Sequence, residues 1–203
     1  MTVGDPEADD VSASLARFTA CNPREEEDLA SIREVAASAN PFDRASRFHL
    51  TASALVIEPR SARVLLRWHT RHETWMQVGG HGDPGESAPY AVALREAVEE
   101  TGLEDLVSFP DVAVPRLIQV AVVPVPGNTK EPAHLHGDLR YVMATSSPDA
   151  IVAESVDNPL RWCSFAEAET LVGEDNLQTL LVRTEELLRG QSGTSDIEPT
   201  AGR

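Results

Sequence analysis

Lysine is scarce in this chain, and positive charge is scarce overall: 17 Lys and Arg stand against 33 Asp and Glu, for a net charge of -16 and a pI near 4.7. A surface of that average sign repels phosphate, which excludes broad electrostatic binding to nucleic acid or to an anionic membrane. A phosphorylated ligand therefore needs a local cation, and clustered carboxylates are how a protein holds Mg²⁺. Cysteine is equally sparse. Cys21 and Cys163 lie far apart, with no CxxC pair and no histidine at zinc spacing, so neither a disulfide framework nor a cysteine-based zinc site is indicated and buried, inert thiols are expected. No apolar run approaches the ~20 residues that span a bilayer, and Met1 to Asp10 is acidic without a signal-peptide core. A soluble, cytoplasmic protein is expected.

What is present is enough for one core. With 203 residues and 41% hydrophobic content, a single domain with extensions fits better than two domains. Residues 1–11 are polar and acidic, and residues 191–203 are rich in Gly, Ser, Thr and Pro, so both ends are expected to be poorly ordered. Over residues 12–45, Leu15, Phe18, Leu29, Ile32 and Val35 recur at helical spacing around an Asn22-Pro23 break. This predicts a two-helix N-terminal extension that caps the fold or forms an interface. Residues 46–190 carry the main domain. Short β-rich runs at Leu50–Ile57, Arg63–Trp68, Trp75–Val78, Leu117–Val125 and Asp138–Thr145 predict strands, and Ala88–Thr101, Phe165–Val172 and Asn176–Leu188 predict helices. Gly102 and Gly190 are placed as helix stops. The mixed order argues for an α/β or α+β sandwich with helices packed on a mixed sheet.

The chemistry concentrates in Gly79-Gly80-His81-Gly82-Asp83-Pro84-Gly85-Glu86, followed after eight residues by Arg95-Glu96-Ala97-Val98-Glu99-Glu100-Thr101-Gly102-Leu103. At about 100° per residue, Glu96, Glu99 and Glu100 share one ridge of a helix, expected to face solvent, with Ala91, Leu94 and Val98 opposite it on the core side. Like charges at these spacings, near a helix C-terminus, destabilise one another and call for a cation. Oxygen-only ligands suit Mg²⁺, with Mn²⁺ as an alternative, better than zinc. Arg95 stands beside Glu99 and is placed to orient a carboxylate. The glycines upstream allow a tight bend and close approach, and the Gly80 carbonyl is a candidate further ligand. Pro89 suits the first helical turn, with Ser87 as N-cap.

This segment resembles the Nudix box, G-x5-E-x7-R-E-U-x-E-E-x-G-U with U a bulky aliphatic, at Gly80, Glu86, Arg95, Glu96, Glu99, Glu100, Gly102 and Leu103. It departs by one extra residue between Glu86 and Arg95 and by Ala97 in place of a bulkier side chain. The resemblance covers about Leu50 to Leu188, including Trp75 and Leu160-Arg161-Trp162 ahead of a helix. It implies a Nudix-like α/β/α sandwich with the box helix packed on the sheet, and a hydrolase that cleaves a phosphoanhydride bond in a nucleoside diphosphate linked to another moiety. Glu96, Glu99, Glu100 and Gly80 would hold Mg²⁺, with Glu99, Glu100 and Arg95 as the catalytic set and Glu86 in the surrounding ion-pair network. The implied partner is a small nucleotide-like diphosphate, and a homodimer is the protein association the family suggests.

Outside the box, His134, His136, Asp138 and Arg140 alternate with Leu135, Leu139 and Tyr141 and share one face of an extended segment, which either lines the substrate pocket or forms a polar strand edge. His81, Glu86, His136 and Asp138 are candidate substrate contacts. Trp68, Trp75 and Tyr90 are expected to pack in the core rather than stack on a base. Two rival readings stand: a catalytically silent nucleotide-sensing module, and an enzyme like isopentenyl diphosphate isomerase, which would need a reactive cysteine.

Overall fold

Two short amphipathic helices lead the chain, α1 (Val11–Ala16) and α2 (Pro23–Ala36). Asp10 and Asn22 cap them by accepting the N–H groups of Ala13 and Glu25, and Pro23 takes the first turn of α2. The computed structural model describes residues 9–129 and 131–194, with side chains to residue 191. The expected loose ends, 1–8 and 195–203, lie outside the described residues. Within the flanks that are described, Val11 already opens α1, and the last helix runs on to Thr194.

The sheet follows as β1 (Phe48–Glu58), β2 (Arg63–His69), β3 (Thr74–Met76), β4 (Val78–His81), then helix α3 (Pro89–Thr101), then β5 (Val107–Ser108), β6 (Gln119–Val125) and β7 (His134–Ala144). The chain closes with β8 (Leu160–Ser164), α4 (Phe165–Leu171) and α5 (Asp175–Thr194). A Ser164/Glu167 capping box starts α4. Helix α5 passes through Gly190, so that glycine does not stop it as expected; its φ is not in the left-handed region, and a Cβ there would meet no atom within 4 Å. Among the described residues no helix is long and apolar enough to cross a membrane.

The strands form one mixed sheet in the order β3-β2-β1-β7-β5, with β4 on β1, β6 on β7 and β8 on β2. Strand β1 is the hub: it runs antiparallel to β2 and β4 and parallel to β7. Its even-numbered residues Leu50, Ala52, Ala54 and Val56 face α1, α2 and α3 in the larger core. Its odd-numbered residues change character along the strand. Leu55 and Ile57 join Val142, Leu66 and the apolar face of α4 and α5, whereas His49, Thr51 and Ser53 continue the same face as a polar stripe. Strand β7 repeats the change, from His136, Asp138 and Arg140 to Val142 and Ala144.

The N-terminal helices are part of the fold's own packing. Val11, Leu15, Phe18, Leu29 and Ile32 are buried in the larger core, and Glu25, 4% exposed, accepts two hydrogen bonds from Arg183 of α5 at 2.7 and 2.9 Å. Of the two thiols, Cys163 is buried as expected, but Cys21 is exposed because it precedes α2 at the surface. Tyr90 packs edge-on against Tyr141 in the core, while Trp68 and Trp75 pair edge-to-face, partly exposed, across β2 and β3.

Gly79 and Gly80, expected in a loop, are strand residues of β4 paired with Ser53 and Ala52. Gly79 has φ of +143°, and a Cβ there would stand 2.5 Å from Ser53 Cα. Gly79→Ala is therefore expected to destabilise the fold by about 2–4 kcal/mol, through a disfavoured backbone and a forced separation of β1 from β4. Chemical denaturation at neutral pH measures this, and a wild-type midpoint would refute it.

Candidate active site

Helix α3 begins at Pro89 with Ala88 at the N-cap, which makes no side-chain cap bond; Ser87, expected there, lies one residue too early. Gly102, with φ of +69°, ends the helix by donating to the Val98 carbonyl. The extra residue relative to the Nudix pattern is absorbed in the turns between β4 and α3. Glu86 still reaches Arg95 and accepts from its Nε at 3.1 Å and its Nη2 at 3.0 Å.

Arg95 is the centre of this corner. Its Nη1 donates to Glu96 at 3.0 Å and to Glu99 at 3.1 Å, and its Nη2 donates to the His81 carbonyl at 2.9 Å. One guanidinium thus ties three carboxylates of the box to the end of β4. Hydrogen bonding to Arg95, with a further bond from the Asp83 N–H, holds the Glu86 carboxyl below its usual range. For Glu96 burial wins over the nearby Arg95, and its carboxyl is raised.

The three glutamates do not form the solvent-facing ridge expected. Only Glu99 is exposed; Glu96 is half-buried and Glu100 is buried. The core face of α3 runs through Tyr90, Ala93, Ala97 and Glu100, and Ala91 points to solvent instead. The Glu96 carboxylate lies in the space that a Cβ at Gly80 would fill, 2.6 Å from it. Glu100 accepts from the Gly79 N–H at 3.1 Å and pairs with Arg67 at 3.2 Å. Burial nevertheless pushes its carboxyl up to about 7.

Behind β4 the polar stripe of β1 and β7 lines a cavity of about 220 Å³, together with Arg67, Gln77, Gly79, Gly80 and His81. The sharing of one face by His134, His136, Asp138 and Arg140 holds, but the face is interior: Asp138 is 5% and Arg140 1% exposed. It is no polar sheet edge, because β6 covers that side of β7. Asp138 accepts from Arg140 Nε at 2.7 Å, Ser53 Oγ at 2.6 Å and Thr51 Oγ1 at 3.0 Å. Burial works to raise its carboxyl, yet Arg140 and the two hydroxyls hold it lowered. Arg140 is further held by Gln119 and Asn176 at 3.1 and 3.0 Å.

At the outer end of the stripe four histidines meet. Strand register sets His49 opposite His136 and Thr51 opposite His81, and His134 precedes His136 by two on the same face. His136 Nε2 lies 3.2 Å from His81 Nε2 and 3.0 Å from His134 Nε2. Burial lowers His81 to about 4 and His136 to about 3, and lowers His49 too. Sequence reading picked out His81 and His136 but not His49 as their neighbour, nor Arg67, Gln77, Thr51 and Ser53. A His-x-His pair was the available signal, but strand register alone brings the others to it.

Residues 47–181 match the family model described as NUDIX domain. Curated protein sequences give no match. Among solved structures, an Ap4A hydrolase from C. elegans in a binary complex superposes with a TM-score of 0.56 at 18% identity, covering 70% of this chain and 98% of that one. A Nudix hydrolase from Listeria monocytogenes gives 0.52 at 20% identity, with 70% and 95% covered. The E. coli dihydroneopterin triphosphate pyrophosphohydrolase gives 0.50 at 16%, with 70% and 95% covered. At these identities the likeness is one of fold.

The raised carboxyl of Glu100 has a consequence for stability. A carboxyl whose folded pKa is about 7 against an ordinary 4.5 weakens the fold as pH rises between those values, since the native state holds the proton more tightly. The lowered histidines act the other way, favouring the fold above about pH 6.5 and losing that contribution as pH falls. Only a difference isolates Glu100. In the absence of divalent cations, Glu100→Gln is expected to gain stability relative to wild type from about pH 4.5 upward and to level off above 7, read as denaturation midpoints; a pH-independent difference would rule out the raised carboxyl.

Proposed function

The chain belongs to the Nudix family, and from that premise we propose a metal-dependent pyrophosphohydrolase, a hydrolase acting on acid anhydrides, that splits a phosphoanhydride bond in a nucleoside diphosphate linked to another moiety. The observation that carries this reading is the gathering of Glu86, Glu96 and Glu99 on Arg95 beside Gly80, with Glu100 buried and raised next to them. Burial raises Glu96 and Glu100 although Arg95 and Arg67 stand against them, and a hard cation would offset the charge that burial disfavours. Glu96, Glu99 and Glu100, with the Gly80 carbonyl, would hold Mg²⁺ or Mn²⁺, which when bound neutralises the diphosphate and lowers the pKa of an attacking water.

The chain's own residues divide the remaining work. Arg95 positions Glu96 and Glu99 and is itself oriented by Glu86 and the His81 carbonyl. Buried Glu100 and exposed Glu99 are the two candidate proton acceptors on the box helix. Arg67 gives the cavity a cationic wall, and its buried Nε has no protein partner. A volume of about 220 Å³ falls below the roughly 300–1,000 Å³ of sites that enclose a drug-sized ligand. The cavity therefore takes one end of the substrate, with His81 and His136 on its wall. Asp138 acts through Arg140, Ser53 and Thr51, whose positions it fixes.

The isomerase reading loses its chemical basis here. Cys163 is 1% exposed in the smaller core, and no cysteine lines the cavity. The sensing module is separated by turnover. A release assay over nucleoside diphosphate sugars, ADP-ribose, dinucleoside polyphosphates and nucleoside triphosphates, with Mg²⁺ or Mn²⁺, is expected to show hydrolysis of at least one class. Glu99→Gln and Glu100→Gln are each expected to lower turnover by about 10²-fold or more while remaining folded. Unchanged turnover in both folded variants would remove these residues from the reaction, and silence of the folded wild type across the panel would favour the sensing module.

A further inference from the structure

We propose that His49, His81, His134 and His136 form a second metal site, distinct in chemistry from the carboxylates of the box and built for a borderline divalent transition metal such as Zn²⁺. It does not rest on the hydrolase reading. The ligating atoms of His49, His81 and His136 all lie within 4.8 Å of one another, and His134 Nε2 is 3.0 Å from His136 Nε2. Zn–N bonds of about 2.0–2.1 Å place tetrahedral ligand nitrogens roughly 3.3 Å apart. The contacts of 3.0 and 3.2 Å made by His136 Nε2 already have that spacing.

The tautomers are arranged for ligation. His49 Nδ1 lies 2.8 Å from the Ser46 carbonyl, and His134 Nδ1 lies 3.0 Å from the Pro132 carbonyl. A carbonyl only accepts, so Nδ1 carries the proton in both rings and Nε2 turns a lone pair inward. Backbone carbonyls behind metal-binding imidazoles are the usual way such rings are oriented. His49 is 1% exposed, and its Nε2 has no hydrogen-bond partner. A buried acceptor left in that state is costly, and the neighbouring imidazoles do not satisfy it. A shared cation does.

The donor set selects the metal. Imidazole nitrogen suits Zn²⁺, Co²⁺ or Ni²⁺, while Mg²⁺ keeps to oxygen. Glu131, 3.9 Å from His134 Nε2, supplies negative charge at the rim. With four protein ligands the site is closed, and its role is to clip the start of β1, the end of β4 and the start of β7 together at the mouth of the cavity.

The test uses the full chain, stripped of metal and titrated with Co²⁺ in excess Mg²⁺, so that oxygen sites are occupied. One equivalent is expected to give the visible absorption of a tetrahedral nitrogen-ligated ion. His49→Gln and His136→Gln should each weaken this binding by at least about 100-fold, since losing an outer-shell partner alone costs 10–100-fold. Glu99→Gln should leave it unchanged. Absence of the absorption, insensitivity to both histidine variants, or loss in Glu99→Gln would overturn the proposal. If the histidine variants fail to fold, X-ray absorption of the wild-type chain loaded with Zn²⁺ decides: a nitrogen shell with imidazole outer scattering supports the site, and an oxygen shell overturns it.

Discussion

Strand β4 can serve two faces of the sheet because two successive positions in it carry no side chain. At Gly79 the backbone approaches Ser53 too closely for a Cβ, and at Gly80 the space of the missing Cβ is filled by the Glu96 carboxylate. Helix α3 therefore lies close enough for Arg95 to reach the His81 carbonyl and for Glu100 to accept the Gly79 N–H. Remove either gap and β4 must move away from β1 or from α3. The carboxylate corner and the cavity behind it share this one constraint.

The cavity has a second origin in how far the last helices extend. Helices α4 and α5 cover Leu55, Ile57, Val142 and Leu66, and the same face beyond that cover is occupied by Ser53, Thr51, Asp138 and Arg140. A buried ion pair such as Asp138–Arg140 is costly unless its remaining donors and acceptors are matched. Here two hydroxyls on β1 match Asp138, and Gln119 and Asn176 match Arg140 Nη1. Asn176 belongs to α5, so the helix that ends the apolar cover also helps hold the polar stripe. A buried hydrogen-bonded network of this kind fixes strand register, since a slip of one residue would put Asp138 in the apolar core.

Much of this was legible in the sequence, and what was missed has common causes. Periodicity placed α2, α3, α4 and α5 and most of the strands, because amphipathic patterns and Pro/Gly punctuation are local. The Nudix box resemblance is matched by the family model over residues 47–181. Gly79 and Gly80 read locally as a tight bend, and only the close approach of Ser53 and Glu96 explains their place in a strand. The burial of Glu100 was missed because helical geometry gives the angle between side chains but not which arc faces the sheet. The interior position of the β7 stripe depends on distant partners, β6 beside it and Asn176 of α5 on Arg140, which no local pattern reveals. His49 stood outside every candidate list for the same reason: it is some 87 residues from His136 in sequence and opposite it in register.

Seen as electrostatics, the two proposed metal sites solve different problems on opposite sides of β4. The box gathers negative charge, part of it on half-buried or buried groups, and Arg95 alone offsets it where Glu86, Glu96 and Glu99 converge. A cation there lowers the cost of that charge, and hard oxygen donors favour one that retains water for chemistry. The histidine cluster is gathered by strand register, and its cost is the buried lone pair of His49 Nε2, which has no partner, rather than charge. An ion bound by four such rings is held without water and satisfies donors instead of creating a nucleophile. Because His81 contributes its ring to one site and its carbonyl to Arg95 of the other, anything that fixes the ring also fixes the carbonyl that orients Arg95. The imidazole site would then act on the carboxylate site through geometry, by limiting how far the end of β4 can move.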